Sequence, residues 1–278
     1  GVVQDVRNGQ RLGFLAEHLM NLSQRQQQIL QRVQQQGFVS IDDLVASFNV
    51  TPQTVRRDIN ALCDLGVLRR FHGGAGLPSS VENMAYPARQ ILNLEEKQRI
   101  AQLVAQHIPD KSSLFINLGT TTEEVAKALA DHTGLRVITN NLNVATLLSD
   151  KPGFEVIITG GLVRHRDRGV VGEATVDFIK QFKVDFGVIG ISGIDLDGTL
   201  LDFDYREVRV SQAIIANSRN VLLVADHSKF SRSAMVRLGH ISEVNMLFTD
   251  DSPPESMDAV LAAAEVQVLI ANAGNAAA

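Results

Sequence analysis

The stretch TPQTVRRD, residues 51–58, sets two adjacent arginines one turn into what reads as a helix start. Thr51 is an N-cap residue, and Pro52 suits the first helical position, where a missing N–H costs nothing. With Val55, Ile59 and Leu62 turned to a core, Gln53, Arg56, Arg57 and Asn60 project outward to varying degrees. A guanidinium can bridge guanine O6 and N7, and Gln or Asn amides can pair with adenine. Thr51 and Thr54 place hydroxyls at a helix N-terminus, where backbone N–H groups hold phosphate oxygens. Ser40, the N-cap of the preceding short helix, joins this set. Arg69, Arg70 and His72 would add backbone or minor-groove contacts. The competing reading is an exposed RRD triplet making ordinary surface ion pairs. The capped helices, the outward polar face and the basic segment together favour double-stranded DNA. Asp58 is expected to orient an arginine or the helix packing, because a carboxylate repels phosphates.

A second set of residues points to a small anionic ligand. INLGTTTEE (116–124) leaves a strand, turns at Gly119, offers Thr120, Thr121 and Thr122, and enters a helix. Backbone N–H groups at such a start, with hydroxyls beside them, make a phosphate cradle. Three further loops follow strands: TNN (139–141), TGGLVR (159–164) and VADHSKF (224–230). Asn140 and Asn141 can hydrogen-bond sugar-like hydroxyls, Gly160 and Gly161 admit close backbone approach, and Arg164 or Lys229 can offset phosphate charge. Gly172 and Glu173 of GEAT (172–175) complete the set. Each feature alone has a structural reading, as turn, bend or surface residue; their shared placement after strands favours one pocket. The carboxylates Glu173, Asp202, Asp204 and Glu207 raise an alternative, a general base acting on a bound polyol phosphate. Hydrogen bonding and helix capping are the preferred roles for them. His165, His227 and His240 have no metal-ligand spacing, HRDR (165–168) reads as a solvated loop, and Cys63 as a core residue. No metal or cofactor is expected.

The elements that must hold these groups fall into two unlike parts. Residues 21–76 read as three short helices and a hairpin: Ile29, Leu30 and Val33 recur at helical spacing, then Ile41, Leu44, Val45 and Phe48, then the capped helix from Thr51. VLRRFHGG (67–74) reads as a strand pair with a turn, so the whole is a winged helix-turn-helix. Residues 77–94, with two prolines and no sustained periodicity, read as a linker. A helix over Glu95–His107 opens the second part, residues 95–271. There, strand-like runs at 114–118, 135–139, 154–159, 184–191, 220–225, 245–249 and 266–270 alternate with helices. Near-continuous apolar strands with helices between them predict a mostly parallel α/β sheet covered on both faces. Residues 272–278 read as a disordered tail, and residues 1–20 as upstream, non-native sequence or a short native helix.

Charge supports that division. The chain of 278 residues carries a net charge of −5, yet residues 21–75 hold six arginines against four aspartates. That leaves +2 in the small module and −7 elsewhere, a basic module on an acidic body. The single cysteine excludes an internal disulfide and a four-cysteine metal site, as in a reducing compartment. No apolar run approaches the roughly 18 residues of a membrane span. The cytoplasm is the expected location.

RQQQILQRVQQQGFVSIDDLVASFNVTPQTVRRDINALCDLGVLRRFHGGA resembles the DNA-binding module of DeoR-type bacterial repressors. TEE, TNNLNVA, GEAT, FGVIGISGID, EVR and DHSKF extend the resemblance, which covers about residues 21–270. It implies that the second part is a sugar-phosphate-binding domain, similar in fold to ribose-5-phosphate isomerase and the CoA transferases. That kinship carries the rival function, a sugar-phosphate isomerase. The motifs are most like those of family members that control glycerol-phosphate use, which implies glycerol 3-phosphate as effector. A single winged helix reads too few base pairs for useful specificity, so a homo-oligomer, dimer or tetramer, on paired operator half-sites is expected.

Overall fold

A computed structural model describes residues 22–78, 80 and 83–272. The readings of residues 1–20 and 273–278 lie outside these. The chain divides into two units, Gly1–Leu92 and Asn93–Ala278.

In the first unit, α1 (Gln24–Gln36) starts at Ser23, whose side chain and that of Gln26 form a reciprocal capping box. Strand β1 (Phe38–Ser40) leads into α2 (Ile41–Phe48), and Asn49 ends that helix in the left-handed conformation. Thr51 caps α3 (Pro52–Asp64). Strands β2 (Arg69–Phe71) and β3 (Gly74–Gly76) form the hairpin. Ile29, Val33, Leu44, Val55, Ile59, Leu62, Val67 and Ala75 meet in one core. Burial of the larger of these contributes about 1.5–3 kcal/mol each before entropy is counted.

Two features depart from the sequence reading. FVS (38–40) is a third strand, giving the antiparallel order β1-β3-β2. Gly74 permits it: a Cβ there would lie 2.1 Å from the Val39 carbonyl oxygen. The expected linker also contains a helix, α4 (Tyr86–Ile91), with a proline in its first turn. Ala88 of α4 is buried in the winged-helix core, with Met84, Ile91 and Leu92 packed on it. Most of that span therefore completes the first unit.

The second unit begins with α5 (Leu94–His107) and is built on seven parallel strands. These are β4 (Ser113–Ile116), β5 (Arg136–Thr139), β6 (Glu155–Ile158), β9 (Val184–Gly190), β12 (Ser218–Val224), β14 (Met246–Thr249) and β15 (Gln267–Ile270), in the spatial order β15-β14-β12-β9-β4-β5-β6. Side chains alternate between two cores, so Leu114 and Ile116 enter one and Phe115 the other. On the first face lie α5, α6 (Thr120–Ala128) and α7 (Leu142–Ser149); on the second lie α8 (Glu173–Ile179), α9 (Tyr205–Ala216) and α10 (Asp258–Ala263). Antiparallel pieces not expected from the sequence flank this sheet: β7 (Leu162–Val163) with β8 (Val170–Val171), and β10 (Gly193–Ile194) with β11 (Thr199–Asp202) and β13 (Val236–His240). Strand order reverses between β4 and β9. The crevice beyond their carboxyl ends is where ligands bind in open α/β sheets.

Candidate functional site

The first candidate surface is the outward side of α3 and the hairpin. Gln53, Arg56 and Arg57 are exposed. Thr51 accepts a hydrogen bond from the Thr54 amide at 3.3 Å, and their hydroxyls lie 2.9 Å apart. Ser40 is committed to α2: its Oγ accepts from the Asp43 amide at 3.0 Å and donates to the Asp43 carboxylate at 2.6 Å. In this geometry Ser40 acts as the cap of α2, with its hydroxyl proton committed to Asp43. Asn60 accepts a hydrogen bond from the Arg70 guanidinium, so helix and wing are clasped together rather than offering two independent readers. A groove of about 510 Å³ runs between them, lined by Arg56, Asn60, Arg70 and His72 over Ile41 and Ile59. Arg57 does not line it. On the other side of β2, Arg69 lies over the Phe71 ring at 5.8 Å.

Asp58 has turned inward. It is buried, and its Oδ2 accepts from Arg25 Nε at 2.5 Å. The carboxylate beside the two arginines therefore belongs to α1, and Arg56 and Arg57 keep their charge for another partner.

The second candidate site is the set of loops at the carboxyl ends of the sheet. Gly119, with φ 142°, begins α6, and Thr120, Thr121 and Thr122 form its buried first turn. The orphan N–H groups of that turn and the positive end of the helix dipole favour an anion. Thr122 uses its hydroxyl locally, on the carbonyls of Asn117 and Gly119, both at 2.8 Å. Across the crevice, Ser192 donates to Asp202 at 2.8 Å. Asn117 donates to Ser211 at 2.7 Å.

The neighbouring loops are tied to one another. Asn140 donates to the Val170 carbonyl at 3.1 Å, and its buried Oδ1 has no hydrogen-bond partner among the described residues. Asn141 caps α7 and donates to Glu123 at 3.0 Å, so its amide is already occupied. Gly160 accepts from Thr175 at 2.7 Å. Gly161 has φ 145°, and a Cβ there would lie 2.2 Å from Thr175 Oγ1. Gly172 begins α8; Glu173 is exposed, 3.5 Å from Arg209.

Arg164 departs most from expectation. It is buried and donates to Asp167 at 2.5 Å, Asp204 at 3.0 Å and Glu207 at 2.9 Å. Burial alone would lower its pKa; the carboxylates of Glu207 and Asp167 outweigh that and raise it. Three acidic neighbours repel a phosphate, so Arg164 is a structural tie rather than an anion ligand. HRDR is an exposed turn at His165, Arg166 and Arg168, but Asp167 is buried beneath it and Arg166 bonds Asp204 at 3.2 Å. Asp204 also caps α9, and Asp202 accepts from the Phe203 amide at 2.7 Å. These carboxylates have fixed partners.

Sequence reading passed over a cluster at the end of β12. Asp226 is buried, and burial would raise its pKa, but Lys229 and Lys97 hold it down to about 2. Lys97 is itself buried. The signal was present: Lys97 shares helical spacing with Ile100, Ala101 and Val104, on the inward face of α5.

Two units with these surfaces define a class, a winged-helix DNA-binding module joined to a sensor domain. Residues 25–81 match the DeoR-like helix-turn-helix domain and residues 92–251 the DeoR C terminal sensor domain; the chain belongs to the DeoR family. It is 53% identical over 249 residues to the glycerol-3-phosphate regulon repressor of Escherichia coli K12, covering 90% of this chain and 99% of that protein. The Haemophilus influenzae protein of the same name is 54% identical over 234 residues, 84% of this chain and 91% of the relative. Escherichia coli HTH-type transcriptional repressor CsqR is 42% identical over 246 residues, with 88% and 94% covered. Among solved structures, ribose 5 phosphate isomerase A from Neisseria gonorrhoeae aligns over 52% of this chain and 55% of that one, at 14% identity and TM-score 0.35.

Proposed function

We propose that this protein is a transcriptional repressor of glycerol 3-phosphate metabolism genes, which binds operator DNA through α3 and the wing and is released when glycerol 3-phosphate binds the sensor unit. The observation that carries this reading is the exposed pair Arg56 and Arg57 on a capped helix, with its acidic neighbour Asp58 removed to α1. The extensive identity to glycerol-3-phosphate regulon repressors supports the choice of regulon and effector. The first turn of α6 with Gly119, Thr120 and Thr121 suits the phosphate, and Lys229 supplies counter-charge. Its working compartment is the cytoplasm, where the operator lies.

One winged helix reads few base pairs, so the operative species is a symmetric oligomer on paired half-sites. The sensor unit supplies the assembly surface. Strand β6 ends the seven-stranded sheet, and Ile158, Leu162 and Val163 near that edge are exposed apolar residues. Such an edge invites pairing with another chain.

A gel-shift titration tests the proposal: an operator from glycerol-use genes, with and without glycerol 3-phosphate or competing sugar phosphates. Release by glycerol 3-phosphate is expected. Release only by another sugar phosphate would replace the effector and keep the class; turnover of a sugar phosphate without sequence-specific binding would replace the class.

A further inference from the structure

Leu92 packs against the winged-helix core, and Asn93, the next residue, is the first of the sensor unit. Asn93 has φ 55° and ψ 38°, the left-handed conformation, which asparagine tolerates better than other non-glycine residues. Its side chain does not cap α5; Nδ2 instead donates to Asp226 Oδ1 at 3.1 Å, 133 residues away in the chain. The same oxygen accepts from the Ser228 amide at 3.0 Å and from the Ser228 hydroxyl. The Asn93 carbonyl accepts from the Lys97 amide at 3.0 Å, and the Lys97 side chain is buried in the same acidic neighbourhood. Asp226 Oδ2 is buried without a hydrogen bond among the described residues, so this carboxylate depends on nearby lysine charge.

From this we infer that Asn93 and Asp226 are positioning residues that transmit occupancy of the sensor loops to the junction with the DNA-binding unit. The inference rests on the repressor reading above. Asp226 and Lys229 lie in one short loop, so a phosphate that draws on Lys229 competes with Asp226 for the same positive charge. The loop's hold on Asn93 then changes, and with it the backbone at the residue where one unit passes into the other. A few loop or element-terminal residues commonly absorb such changes. By linkage, operator binding must act back on effector affinity through the same contact.

The test uses the full chain and Asn93→Gly, which keeps the left-handed backbone accessible and removes the donor. Operator affinity is measured by gel shift with and without saturating glycerol 3-phosphate, and glycerol 3-phosphate affinity by calorimetry. In the parent, effector weakens operator binding by about tenfold or more, within the usual range of coupling. In Asn93→Gly the weakening falls to less than about threefold, while effector affinity and effector-free operator affinity each stay within about threefold. Asn93→Asp, which sets a second carboxylate against Asp226, shows the same uncoupling. Release of Asn93→Gly equal to the parent's overturns the inference alone. Loss of effector binding in that variant also overturns it, by making Asn93 part of the ligand site. A parent that neither binds nor responds to glycerol 3-phosphate overturns the functional reading and this inference together.

Discussion

Arg25 Nε donates to Asp58 Oδ2 at 2.5 Å, tying the first turn of α1 to the middle of α3 across 33 residues of chain. The pair has two consequences. It fixes the angle at which α3 presents its outer face, and it removes a negative charge from beside Arg56 and Arg57.

Asp58→Ala is therefore expected to act on stability first. Asp58 is buried while Arg25 keeps about a third of its exposure, so solvent moderates the pair. A loss of about 1–2 kcal/mol is expected, between surface and fully buried pairs. Denaturant melts report it directly, and Arg25→Ala should cost at least as much as Asp58→Ala, because it leaves the buried Asp58 carboxylate without its cation. A variant as stable as the parent would remove the pair from the fold's support.

Arg56→Ala and Arg57→Ala should separate by their dependence on sequence. Arg56 lines the groove with Asn60 and Arg70, whereas Arg57 does not. If Arg56 grips a guanine, its loss costs about 1–3 kcal/mol on operator and relaxes preference at one position. Arg57→Ala instead weakens binding to all duplexes and lowers the salt slope by about 1, as a phosphate contact does. Binding isotherms on operator, point-substituted operator and random duplex at two salt concentrations distinguish these outcomes; matching effects from both substitutions would reject the assignment.

The wing's Asn60–Arg70 clasp gives a third expectation. Asn60→Ala and Arg70→Ala should be non-additive in operator binding, because residues in contact share their effect. A double-mutant cycle with coupling of about 0.5 kcal/mol or more is expected. Strict additivity would mean that each side chain meets DNA independently.

How far the sequence carried this architecture depends on the range of the interaction. The seven parallel strands were legible because runs such as LFINL and VIIT are apolar on both faces, and the helices because Ser40, Thr51 and Gly37 punctuate them. Strand β1 was not, since three residues carry too little alternation and its pairing depends on Gly74 admitting a close carbonyl. Helix α4 was hidden by a proline that breaks periodicity yet suits a first turn. At the sensor site, Gly119 and the threonines announced themselves locally. Arg164 misled because two of its carboxylates, Asp204 and Glu207, lie about forty residues downstream, and no local pattern reports them.

That same network yields the prediction with the widest reach. Arg164→Met leaves Asp167, Asp204 and Glu207 facing one another without their main cation. Removing one partner from a buried ionic group typically costs about 3–5 kcal/mol, and that loss is expected at pH 7. In the parent, Asp204 is held below the usual carboxylate range: burial opposes this, but the Arg206 amide and the Arg164 hydrogen bond outweigh it. Its contribution is therefore complete above the unfolded carboxylate pKa and fades as pH falls through the folded one. In the variant the sign reverses. Crowded carboxylates without a cation have raised pKa values, so protonation on acidification relieves the repulsion and recovers stability. The gap between parent and variant should thus narrow as pH is lowered from about 7 towards 4. Urea melts across that range measure it, and a gap that stays constant or widens on acidification would show that Arg164 contributes by packing rather than by charge.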